Sequence, residues 1–233
     1  MNNHRIRYFQ LRSILYGALL CSSSLPLTAG DDSPKDMKSD GKDMQVAAMT
    51  EKEKNWAVEL SSGVLFSNIR TGNGNNYTLV PIQLAAVLKI DDVSLDNMAG
   101  GILRGNTEFL FRGDYYQSTF GQENRLAGVS VGPRYNFVQP GWKIVPFIEG
   151  NVGLLFADSN PQIYGDNQQR GLGQDFNFTM GAAAGIRYDI TEDWYVRLSC
   201  NYVHVSNAAL SEPQHQNKAI DALGPQVGVG YRF

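Results

Sequence analysis

From residue 56 onward apolar residues recur at every second position, not with the 3.6-residue period of a helix. Trp56-Ala-Val-Glu-Leu-Ser-Ser-Gly-Val-Leu-Phe opens the series, and similar segments lie near Tyr77–Ile90, Gly101–Tyr116, Leu126–Val138, Trp142–Phe156, Phe176–Ile190, Trp194–Asn207 and Ile220–Phe233. Turn-rich breaks separate them: Thr71-Gly-Asn-Gly-Asn-Asn, Asp91-Asp92, Gln139-Pro-Gly, Asp158-Ser-Asn-Pro and Thr191-Glu-Asp. The pattern predicts eight strands. Each strand with its connection then takes about 22 residues, which suits membrane-spanning strands of roughly 9–11 residues.

Alternation fits two architectures. A soluble sandwich or lipocalin-like barrel turns its apolar face inward, whereas an outer-membrane barrel turns it outward and keeps polar residues in the lumen. In predicted strand seven, Trp194, Val196, Leu198, Cys200 and Tyr202 share a face, opposite Arg197, Ser199 and Asn201. In predicted strand eight, Leu223, Val227, Val229, Tyr231 and Phe233 oppose Gly224, Gln226, Gly228, Gly230 and Arg232.

Composition narrows the field. Hydrophobic residues make up 42% of the 233 positions and charged ones 18%, below the roughly 25% charge usual in soluble domains. Disorder, a collagen-like fibre and a charged helical coil are excluded. The formal net charge of -3 lends no support to nucleic-acid binding, which needs a basic face. Beyond the first thirty residues no apolar run approaches the ~18 that a spanning helix requires.

The first 29 residues predict an export signal. Arg5, Arg7 and Arg12 form a basic segment, an apolar stretch runs from Ile14 to Leu20 and weakly to Leu27, and Thr28, Ala29 and Gly30 offer a cleavage site. Leu20 before Cys21 is too large for a lipobox, which argues against a lipoprotein. Removing the three arginines makes the net charge three units more negative, and removing Cys21 leaves Cys200 without an intramolecular partner. Residues 30–55 read as a flexible polar tail and residues 56–233 as the one organised unit. Export, an even strand count and the final Tyr231-Arg232-Phe233, which resembles the C-terminal signature of bacterial outer-membrane proteins, decide between the architectures. The expected fold is all-β: an eight-stranded antiparallel transmembrane β-barrel of the bacterial outer membrane.

With both termini in the periplasm, the connections after odd strands face the exterior and should be the longer ones. Ala157–Asp175 and Ala208–Ala219 are long, while Gln139-Pro-Gly and Thr191-Glu-Asp are short. Asp91 to Gly100, after strand two, is longer than a periplasmic turn usually is.

Candidate chemistry sits at the end of strand seven. Residues two apart in a strand point the same way, roughly 6.6–6.8 Å along the chain. His204 and Ser206 therefore continue the lipid-facing stripe of Leu198, Cys200 and Tyr202. Unpaired polar groups near hydrocarbon are costly, although at headgroup level they are harmless. Asp221 adds weight: it shares parity with Leu223 and Val227 and lies at the same end of the neighbouring strand. A Ser, a His and a carboxylate on one patch form the constellation for nucleophilic acyl transfer, with the base beside the hydroxyl and the acid orienting the base.

His204-Val-Ser206-Asn207-Ala208-Ala-Leu210, followed by Asn217 and Ile220-Asp221 before the last strand, resembles the lipid A 3-O-deacylase (PagL) family of outer-membrane acyl hydrolases. The resemblance is concentrated in the last thirty residues. It implies an esterase that removes the 3-hydroxyacyl chain ester-linked at position 3 of lipid A, with lipopolysaccharide as substrate, outer-membrane lipids as surroundings and no cofactor. By position it implies Ser206 as nucleophile, His204 as general base and Asn207 as the residue that helps the oxyanion. The family pattern has Glu where this chain has Asp221, one methylene shorter, and Glu212 is the alternative acid.

Lys218 and Arg170 are candidates, by loop position alone, for meeting lipid A phosphates. His215 reads as a loop residue and Cys200 as an apolar filler. Two histidines eleven apart without a Cys cluster give no metal-ligand spacing. Gly72-Asn-Gly74 and Gly171-Leu-Gly173 are turn signals and not phosphate loops, because no helix follows either. The competing readings are a non-enzymatic structural or adhesin-type barrel, and a phospholipase-like or palmitoyl-transfer enzyme using the same triad. Dimerisation is left open by the sequence.

Overall fold

The computed structural model describes residues 54–67, 76–96, 98–159, 171–215 and 217–233. The expected export signal, most of the polar tail and Arg170 lie outside them. The strands are β1 (Trp56–Gly63, continued as Leu65–Phe66), β2 (Thr78–Lys89), β3 (Gly105–Phe120), β4 (Arg125–Phe137), β5 (Ile144–Ala157), β6 (Phe176–Asp189), β7 (Trp194–Ser206) and β8 (Ile220–Arg232). Ser62 faces Ile82 and Leu65 faces Leu79 in one unbroken register, so both parts of β1 are a single strand across Val64. Every strand pairs antiparallel with its chain neighbours, and β1 closes on β8 through pairs such as Val58↔Tyr231. The eight-stranded barrel expected from the alternation is therefore present and closed, which leaves no unpaired edge.

The pleat sorts side chains by parity. Leu60, Leu84, Val129, Leu198 and Val227 stand outward and exposed, while Glu59, Arg112, Arg134, Glu149 and Gln226 are buried inside. That inversion is the signature of a wall facing hydrocarbon.

The lumen is filled in layers. Taking the upper end as the one where β1 finishes, its top layer is apolar and contains Leu65, Tyr77, Leu79, Leu126, Val203 and Ile220. Leu172, from the β5–β6 connection, drops into this layer and is fully buried. Gly171 and Gly173 flank it with φ of 95° and 77°, left-handed conformations that glycine adopts without steric penalty. A Cβ at Gly171 would also stand 2.6 Å from Glu123 Oε1. Leu172 N–H donates to that same oxygen at 2.7 Å, and Tyr77 O–H donates to Glu123 Oε2. The turn read from Gly171-Leu-Gly173 is thus a plug.

Below it lies a charged layer. Arg134 Nη2 donates to Glu59 Oε2 at 2.8 Å and to Glu149 Oε2 at 2.9 Å, and its Nη1 donates to Glu108 Oε2 at 3.2 Å. Arg112 and Arg197 also donate to Glu149, and Tyr195 O–H donates to Glu59 at 2.7 Å. Buried charges are tolerable only when paired and hydrogen-bonded in this way. Tyr195 also belongs to a lower apolar layer with Ala57, Ala85, Val87 and Leu110.

Two boundaries differ from the sequence pattern by four residues. β3 begins at Gly105 and not at Gly101, because Met98–Gly101 forms a 3-10 turn in which Ala99, Gly100 and Gly101 have φ of 50°, 66° and 85°, unavailable to a strand. β3 also runs on to Phe120, beyond the expected Tyr116. The long connection after β2 owes its length to packing: Leu103 C=O accepts from Tyr135 O–H, Val138 C=O accepts from Arg104 Nη1 at 2.7 Å, and Ser94 bridges to Gly105.

Candidate active site

β7 and β8 run side by side with His204 opposite Asp221 and Tyr202 opposite Leu223. On the other flank, β6 sets Met180 beside His204 and Phe178 beside Ser206. Parity turns Tyr202, His204, Ser206 and Asp221 outward at the upper end of the wall, and the structure brings all four to one patch. His204 Nδ1 and Asp221 Oδ1 are 2.8 Å apart, with side chains 29% and 16% exposed. Both side chains are partly withdrawn from water yet open at the wall. Asp221 Oδ1 also accepts a hydrogen bond from Tyr202 O–H.

Ser206 closes β7, and Ala208 and Ala209 follow with φ of 54° and 65°. Non-glycine residues held there cost about 1–3 kcal/mol each and persist where the surroundings fix them. What fixes them is visible. Asn207 turns into the lumen, fully buried, and its Nδ2 donates to Leu172 C=O and to Ser211 Oγ, each at 2.7 Å. The reversal aims Ala208 N–H at Ser206 Oγ, 3.3 Å away, and Asn217 Nδ2 donates to the same oxygen at 2.7 Å. Ser206 Oγ is therefore held by these two donors, with no hydrogen bond to His204 in this state.

Asn207 was expected beside the oxyanion. Its amide nitrogen is instead committed to Leu172 of the plug and to Ser211. Asn217, noted in the sequence only as part of a motif, is the side chain that reaches Ser206. It lies in a connection, where strand parity assigns no direction. Glu212 is exposed in the turn after β7, whereas Asp221 meets His204 directly. Lys218 N–H donates to Gly171 C=O, which ties the start of β8 to the plug. Cys200 is free and faces outward. Among the described residues no group of three His, Cys, Asp or Glu could hold a metal ion.

A closed barrel with an apolar outer wall and ion pairs buried inside defines an outer-membrane protein, and Tyr202, His204, Ser206 and Asp221 form a polar patch on that wall. The family model for lipid A 3-O-deacylase (PagL) matches residues 102–232, and the chain belongs to that family of outer-membrane ester hydrolases. Among solved structures, the chain is similar to Neisserial surface protein A (NspA), with 12% identity over 76% of this chain and 97% of that one and a TM-score of 0.50. It is also similar to the outer membrane enzyme PagL, with 20% identity over 75% and 97% and a TM-score of 0.47. At these identities the likeness to NspA concerns fold alone. No curated protein matches the sequence.

Proposed function

We propose that this chain hydrolyses the ester that joins a 3-hydroxyacyl chain to position 3 of lipid A, using Ser206 as nucleophile, His204 as general base and Asp221 as the acid that orients it. The carrying observation is the His204–Asp221 contact of 2.8 Å on the same outward stripe as Ser206. The substrate is itself a lipid of the outer leaflet, so a site on the barrel wall meets the ester without lifting it from the membrane.

A side-chain rotation brings Ser206 Oγ toward His204, its neighbour two residues away on one face. Oγ attacks the ester carbonyl and passes its proton to the imidazole, while Asp221 holds the opposite ring nitrogen and stabilises the imidazolium. The tetrahedral oxyanion then forms near Ala208 N–H and Asn217 Nδ2, and such a donor is worth about 2.7–4 kcal/mol in other acyl-transfer enzymes. Collapse expels the sugar hydroxyl, which takes the proton from His204. Water, activated by the same base, releases the 3-hydroxy fatty acid and restores Ser206.

Mass spectrometry of lipid A from cells expressing the protein tests this reading. Loss of one 3-hydroxyacyl chain is expected, abolished by Ser206→Ala and by His204→Ala. Unchanged lipid A with correctly inserted protein would reject the reading in favour of a non-enzymatic barrel, and loss of a different chain would move the cleaved position.

A further inference from the structure

Resting on the reading just given, we infer that Tyr202 is a positioning residue of this site: its hydroxyl holds the short Asp221 carboxylate in place to receive His204. One carboxylate oxygen, Asp221 Oδ1, accepts both from Tyr202 O–H and from the His204 ring. The two donors arrive from different directions. His204 is the direct cross-strand partner of Asp221, while Tyr202 stands opposite Leu223 and reaches across the diagonal, a span that an aromatic side chain covers and a short one does not.

The need for a second donor follows from chain length. An aspartate carries one methylene between backbone and carboxyl, so a rotation at Cβ swings both oxygens away from a partner on the next strand. With one hydrogen bond the oxygen is constrained in distance but not in direction. A second, charge-assisted bond to the same atom fixes both. On the other flank of His204, β6 presents Met180 and Phe178, whose side chains carry no hydrogen-bond donor. Tyr202 is 38% exposed on a wall that otherwise carries Leu198 and Cys200 at that face. Its ring suits that apolar setting without any hydroxyl, whereas its hydroxyl ends on a member of the site.

The experiment is a double-mutant cycle on the full-length protein refolded in detergent micelles with lipid A, with folded protein counted by its heat-modifiable migration. Tyr202→Phe keeps the ring and removes only the oxygen. In the parent it is expected to lower kcat by about tenfold with KM within about twofold, as for loss of one hydrogen bond to a charged group. In an Asp221→Ala background, followed over hours, the same change is expected to have no further effect, because Tyr202 acts through the carboxylate. A purely structural role would give the same loss in both backgrounds, and that outcome overturns the inference, as does a parent kcat unchanged by Tyr202→Phe. Ser206→Ala run in parallel separates the two claims. If it retains activity, the triad reading itself falls; if it is inactive while Tyr202→Phe is silent, only the role of Tyr202 is lost.

Discussion

At the scale of single residues, the proposed acid is the informative position. Asp221 reaches His204 because β7 and β8 place them directly opposite, so a shorter side chain suffices. Glu212 is longer but sits exposed in a turn. Asp221→Ala should therefore reduce deacylation by about 10²–10⁴-fold, the range typical of losing a general acid–base partner, while Glu212→Ala should stay within a few-fold of the parent. Lipid A turnover by the two purified variants checks this, and the reverse order would move the acid to the loop. His204, Ser206 and Asp221 were legible in the sequence because all three lie in strands, where parity alone gives direction. Tyr202 shares their stripe, yet its hydroxyl contact depends on a diagonal that a one-dimensional pattern does not resolve. Asn217 and the lumenal bonds of Asn207 lie in connections, whose course is set by the plug.

Among the elements, that plug links the loops to the β7–β8 hairpin. Glu123 fixes Leu172 from one side, Asn207 bonds the carbonyl of Leu172 from the other, and Gly171 C=O receives Lys218 N–H just before β8. Leu172→Ala should lower folding stability by about 2–5 kcal/mol, as for a buried leucine whose space is not refilled. Leu198→Ala, on the lipid-facing wall and 55% exposed, should cost distinctly less. Urea unfolding of the refolded variants, followed by tryptophan fluorescence, measures the difference; equal losses would show that the plug position contributes no more than a wall position. The strands were readable to within a few residues because alternation persists along each of them. The start of β3 was not, since apolar Ile102 continues the pattern past a turn whose left-handed backbone leaves no trace in hydropathy.

For the molecule as a whole, low charge content and abundant apolar residues follow from one inversion: hydrocarbon outside, ion pairs inside. The lumen holds a connected set of arginines and glutamates between two apolar layers. Side chains thus occupy the barrel from the Leu172 plug to Tyr195. In electrical terms such an interior should make the protein an insulator. Inserted into a planar lipid bilayer it should leave the current at baseline, and regular conductance steps from the purified protein would contradict the filled interior. A cell could then carry many copies of this lipid-modifying enzyme without making its envelope more permeable to small hydrophilic solutes such as antibiotics.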